Sequence, residues 1–162
     1  MNTNLFGKRD LFILYILAAG ANIFNFAGHG GWAVSGKVAF ANLITNSLDS
    51  TFGIAVATET ALEWVRLIGF LDLTLATIIT LALIGVWKGK GLLAKLARSR
   101  LMLLIFAWGI FWGLATAFSR VSAHGYEAIY LLDFIERGGN YFGAALGFYL
   151  TRMLRKTQNQ IS

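Results

Sequence analysis

The stretch "IYLLDFIERGGNYFGAALGFYLTR", Ile129–Arg152, is apolar enough to sit in lipid and yet is interrupted by charge. Its second half is apolar and small. Its first half carries Asp133, Glu136, Arg137 and Asn140. A hydrocarbon core is spanned by about 20 residues of helix, so the stretch is long enough only if those four groups are tolerated inside one continuous helix. Read that way, it is the last of four apolar segments, placed near 11–33, 61–87, 101–119 and 127–151. The chain is 57% hydrophobic, with a mean hydropathy of +0.63, no proline and 18 glycines. That is more apolar than the roughly 45–50% of ordinary soluble domains, and it suits unbroken helices packed through small residues. The predicted fold is all-α: an integral membrane four-helix bundle forming a single transmembrane domain over 1–162.

The first segment follows Lys8 and Arg9 and holds Ala19-Gly20-Ala21, which imitates a signal peptide. Its apolar character continues through Phe24, Phe26 and Trp32, longer than a signal core, so a retained helix is expected. Orientation follows from the basic residues. Lys8 and Arg9 precede the first helix. Lys88, Lys90, Lys95, Arg98 and Arg100 fill the link between the second and third, and Arg152, Arg155 and Lys156 follow the fourth. Asp10 is the only acid among them. The positive-inside rule then puts both termini in the cytoplasm and the protein in the inner membrane as a multi-pass chain. The 88–100 link reads either as a short amphipathic piece lying on anionic lipid or as a solvated basic loop. On the other side, the link 34–60 is mixed in character and is expected to cover the outer mouth as a helix and turn. The net charge of +6 sits beside apolar segments and not on a soluble basic domain, which argues for the membrane surface and against nucleic acid.

Depth picks out the candidate site. Arg137 precedes Arg152 by about 22 Å of helix, and Asp72 precedes Lys88 by about 24 Å, so both lie toward the outer side. Asn140, Glu136, Arg66 and His29 belong to the same half. Ions at such depths are costly unless they face a bundle interior, find partners or reach water. Asp72 points about 120° away from Arg66 around the second helix, so Arg137 or Arg120 is its expected partner. The rival reading is structural, with ion pairs that register four helices and bind nothing. His29 and His124, the two histidines, also invite axial ligation of a haem, but their flanking glycines suit ordinary helix-end turns. Trp108 and Trp112 alternate with Gly109 and Gly113 in a pattern that suits helix packing. There is no cysteine for a disulfide or thiolate ligand. No phosphate loop, nucleotide fingerprint or nucleophile–base pattern stands out.

Three stretches together carry a resemblance. "FAGHGGWAVSGKVAFANLI" (26–44) has a histidine–glycine turn followed by a lysine. "RLIGFLDLTLATIITLALIG" (66–85) places an acid amid glycines and leucines, and "ERGGNYFGAALGFYL" (136–150) closes the chain. In these the sequence resembles DoxX-like membrane proteins, with His29, Gly30, Lys37, Asp72 and Arg137 at matching positions and Asp72 where glutamate is usual. The resemblance implies a four-helix membrane bundle, and some relatives are small subunits of quinone-reducing enzymes. The resulting expectation is a polar outer-half cavity built on His29, Asp72, Arg137, Asn140, Glu136 and Arg66. It would bind a lipophilic molecule, a quinone, in a non-catalytic or accessory subunit of an oxidoreductase with protein partner subunits. The alternatives are an assembly subunit of a larger membrane complex with no ligand, and a small-solute transporter.

Overall fold

In the computed structural model, which describes residues 7–159, every regular element is helical and no strand is present among the described residues. The chain ends, 1–6 and 160–162, lie outside the described residues, and with them the two termini whose side the charge pattern predicts. The elements are α1 (Lys8–Val34), α2 (Val38–Phe52), α3 (Thr58–Lys88), α4 (Leu92–Ala97), α5 (Arg100–Ala123), a 3-10 turn (Ala128–Tyr130), α6 (Leu131–Glu136) and α7 (Gly138–Asn159). Three helices are long and apolar enough to cross a membrane: Arg9–Val34, Thr58–Lys88 and Arg100–Ala123.

The helices end where the chain supplies a stop. At the start of α1 the Asp10 carboxylate accepts from the Gly7 backbone N–H at 3.0 Å, and Ser99 caps α5 by accepting from Met102 N at 3.2 Å. Gly53 and Gly89 take the left-handed conformation that closes α2 and α3.

The fourth apolar segment departs from expectation. In place of one helix over 127–151, the chain makes the 3-10 turn and the short α6, breaks at Arg137 (φ −79°, ψ 3°), and resumes as α7. Two features account for the break. Four polar groups fall within two turns, and Gly138-Gly139 follows directly, where glycine costs about 1 kcal/mol per residue in a helix interior. A helix end leaves carbonyls without partners, and here the Tyr141 hydroxyl donates to the Phe134 carbonyl across the break at 3.2 Å. Because α7 also runs on into Arg152, Arg155 and Lys156, it is not among the helices apolar enough to cross a membrane.

α1 packs along α3 and α7, and α5 packs along α7. Their shared core joins Tyr15, Ala18, Ala19 and Phe26 of α1 to Leu75, Ala76, Ile79 and Ala82 of α3, Met102, Ile105 and Phe106 of α5, and Leu150 of α7. Alanine and glycine at the crossings allow backbones to touch. A Cβ on Gly30 would stand 2.8 Å from the Gly69 carbonyl oxygen, and one on Gly69 would stand 2.8 Å from Val34 N, so α1 and α3 meet with no room for a side chain. At the basic end, α4 tucks beneath α3 with Ala94 and Ala97 buried and Lys95 exposed, so the 88–100 link is a packed helix and not a free loop. At the other end, α2 lies across α3 and α5. It is pinned to α5 by hydroxyls that donate to carbonyls near the C-terminal end of that helix: Ser47 Oγ to Ser119 O at 2.8 Å and Ser50 Oγ to Ser122 O at 2.6 Å.

Candidate functional site

Where α2 crosses, the helices do not close completely, and a cavity of about 240 Å³ remains between α1, α2, α3 and α5. It lies at the end of the fold opposite the basic residues around α4, since it takes the C-terminal part of α1 and α5 and the N-terminal half of α3. Its walls are mostly apolar, from Phe40, Leu43, Ile44 and Leu48 of α2 and from Val65 and Ile68 of α3. Against this lining stand the ionisable groups of His29, Asp72, Arg120 and Arg137 and the indole of Trp112, with the hydroxyls of Ser47, Thr116 and Ser119 in the wall. An apolar void of about 150 Å³ suffices for benzene, so this volume accommodates a substituted ring or a comparable head group.

Asp72 is the most exacting member. It is 1% exposed, and neither carboxyl oxygen has a hydrogen-bond partner. The Trp112 indole nitrogen lies beside it but also lacks a partner within hydrogen-bond reach. A buried polar group left in this condition costs about 1–3 kcal/mol, and more when charged. Arg120 and Arg137 are near enough to repel each other, and both repel the His29 ring when it is charged. Arg137 is offset by Asp133 and Glu136 of α6. The His29 ring is stacked against Phe40 of α2, centroids 6.0 Å apart and planes 14° from parallel, which ties α2 to α1.

Three of the six site residues expected from sequence therefore line the cavity: His29, Asp72 and Arg137. The other three do not. Arg66 is exposed on α3, and its guanidinium lies against the Gly36 turn, where a Cβ would sit 3.2 Å from Nη2. Glu136 is exposed on α6 and reaches the site only through its field on Arg137. Asn140 is half-buried in the first turn of α7, beyond the break at Arg137, and does not line the cavity. The expected bond between Asp72 and Arg137 is also not formed: they share the cavity, but neither Asp72 oxygen is engaged.

From sequence, Trp112 suits helix packing and Arg120 enters only as a partner for Asp72, yet both line the cavity. Their signal was a helical spacing, since Trp112, Thr116, Ser119 and Arg120 recur at three and four residues along one face of α5. Lys37, one of the positions matching the DoxX-like pattern, stands outside the cavity over the Trp32 ring, 4.2 Å from its centroid.

The two histidines occupy different places. His124 is exposed beyond α5, with Nδ1 2.8 Å from the Arg120 carbonyl oxygen and its ring stacked 3.9 Å from Tyr130. Ligation of one haem by both would require each ring to leave its present neighbour. Among the described residues no group of three or more His, Asp or Glu side chains is placed to hold a metal ion. Comparisons with protein-family models, with curated proteins and with solved structures find no match for the chain.

Proposed function

We propose that this is a small DoxX-like integral protein of the inner membrane whose outer-end cavity binds a lipophilic molecule by its polar head. The ligand in this reading is a quinone, and the protein serves as an accessory subunit of a redox system. The observation that carries the reading is the cavity itself, with apolar walls from α2 and α3 around Arg120, Arg137 and Trp112 as donors. The guanidiniums and the indole N–H offer hydrogen bonds to a carbonyl oxygen, and the apolar walls take the adjoining ring and the start of a tail. The chain has no redox-active cysteine, and this reading assigns electron transfer to a partner subunit.

The membrane setting is supported by the outward faces of the helices. Leu67 and Phe70 of α3, Leu104 and Phe111 of α5, and Phe142 and Tyr149 of α7 are all exposed. Large apolar side chains directed outward on several helices at once are what lipid tolerates and water does not. In this arrangement α1, α3, α5 and α7 form a four-helix bundle with both termini cytoplasmic. The apolar part of α7, Gly138–Thr151, gives about 21 Å of helix, and the 3-10 turn and α6 complete the crossing to the outer face. A backbone break at that depth is tolerated because protein covers it, as Tyr141 does at the Phe134 carbonyl.

The test is the inventory of the native protein purified in mild detergent, read by mass spectrometry and visible absorbance. A co-purifying lipophile that is absent from Arg120→Gln or Arg137→Gln is the expected result. Stoichiometric partner proteins with no small molecule would select the assembly-subunit alternative, and solute flux in vesicles the transporter. Orientation is tested separately. Since the chain has no cysteine, a single cysteine at Lys95 is expected to resist an impermeant thiol reagent in intact cells, and one at Asp49 to react. The reverse pattern overturns the topology and moves the cavity to the cytoplasmic side.

A further inference from the structure

The cavity makes two opposed demands on a ligand. Arg120, Arg137 and the Trp112 indole are donors and require acceptors. Asp72 is buried among the same walls with neither oxygen hydrogen-bonded, and the one donor beside it, the Trp112 indole N–H, can serve at most one of its two oxygens. The hydroxyls that line the wall are already engaged with main-chain carbonyls: Ser47 with Ser119, Thr116 with Gly113 at 3.1 Å, and Ser119 with Thr116 at 2.9 Å. The other oxygen of this buried carboxyl group faces a void and is open to a donor from outside the chain. A head bearing only carbonyl oxygens answers the guanidiniums but, while Asp72 is ionised, sets a lone pair against its oxygens. A hydroxyl answers both, because it accepts from an arginine and donates to a carboxylate.

From this we infer that the ligand head carries a hydroxyl that donates to Asp72, so that the cavity takes the hydroxylated form of a two-oxygen ring, a quinol, in preference to its dicarbonyl form. This inference rests on the cavity reading proposed above and adds to it the chemical state of the ligand. A subunit with this preference holds the reduced member of the pair and releases the oxidised one. No bond is made or broken by Asp72 itself; it is a binding residue that discriminates by hydrogen-bond polarity. Discrimination of this kind is strong because the disfavoured ligand leaves a buried group unpaired.

The experiment uses the full-length protein in detergent, with a benzoquinone carrying a saturated alkyl tail as one probe and the quinol obtained from it by dithionite as the other. The two share one carbon frame, and the reductant meets no disulfide, since the chain has no cysteine. Binding is read by calorimetry or by quenching of tryptophan fluorescence. The wild type is expected to bind the quinol about tenfold more tightly than the quinone, the effect of one buried hydrogen bond lost. Asp72→Asn, whose amide also donates, is expected to bring that ratio close to one, and Arg120→Gln to weaken both forms alike. A wild-type ratio of one, or a preference for the quinone, overturns the inference while leaving the cavity reading standing. Failure of both probes to bind overturns the cavity reading. Should Asp72→Asn not fold, the wild-type ratio decides alone.

Discussion

α3 and the stretch Ile129–Arg152 carry similar polar loads and resolve them in opposite ways. α3 runs unbroken from Thr58 to Lys88, keeps Glu59, Glu63 and Arg66 exposed at its first turns, and buries one carboxyl group, Asp72. The later stretch crowds Asp133, Glu136, Arg137 and Asn140 together and loses its helix at Arg137. The difference lies in spacing. One polar side chain deep in an apolar helix is carried by the packing around it, here the close contact of α3 with α1. Several within two turns, followed by a glycine pair, cost more than the helix gains by continuing, and the chain breaks. The break has a consequence for the cavity, because a side chain at a helix end is directed less strictly than one in the middle, and Arg137 enters the same space as Asp72.

The strongest way to break the comparison is to take away the packing that keeps α3 whole. Gly69→Leu places a side chain where even a Cβ would meet Ala33 and Val34, and it is expected to destabilise the protein by about 3 kcal/mol, the upper end for overpacking. Thermal unfolding in detergent measures the loss, and bound ligand should go with it, since Ala33 lines the cavity. A smaller effect of opposite sign is expected at Asp72. Because neither Asp72 oxygen is hydrogen-bonded, Asp72→Leu is expected to raise stability by about 1–2 kcal/mol and to abolish the quinol preference. A destabilised Asp72→Leu protein would instead mean that Asp72 is paired in solution, as the charge pattern alone predicts for Arg137, since breaking a buried pair costs stability.

How much of this was legible follows from particular residues. α1, α3 and α5 are visible as long apolar runs without proline, because a helix of that length needs only local sequence to declare itself. His29, Asp72 and Arg137 are visible because an ionisable group deep in an apolar run is conspicuous. The break at Arg137 was not foreseen, since a stretch that is apolar on average can still fail locally where several polar groups coincide. Arg120 and Trp112 were not assembled into the site because cavity membership depends on how α2 lies across α5, which is set by tertiary bonds such as Ser47 to Ser119. The neighbour of Asp72 is hidden for the same reason. Spacing along one helix fixes the face a residue occupies, but not the approach of a second helix.

The smallest effect is expected at Asn140, and it sharpens the comparison most directly. In an unbroken helix, residues 137 and 140 would lie about 60° apart on one face, and Asn140 would join Arg137 in the cavity. With the break, Asn140 lies outside the lining, and its contribution across the junction is a main-chain one, its N–H donating to the Arg137 carbonyl at 2.9 Å. Leucine keeps that bond. Asn140→Leu is therefore expected to change stability by less than about 0.5 kcal/mol, the usual range away from buried networks, and to leave ligand affinity as it was, whereas Arg137→Leu removes a donor from the cavity and weakens binding. Melting temperature and probe affinity, measured side by side for the two variants, decide the matter. If Asn140→Leu loses the ligand at an unchanged melting temperature, Asn140 reaches the ligand. The stretch Ile129–Arg152 would then close into one continuous helix when the cavity is filled, with α3 and the fourth segment alike only in the bound state.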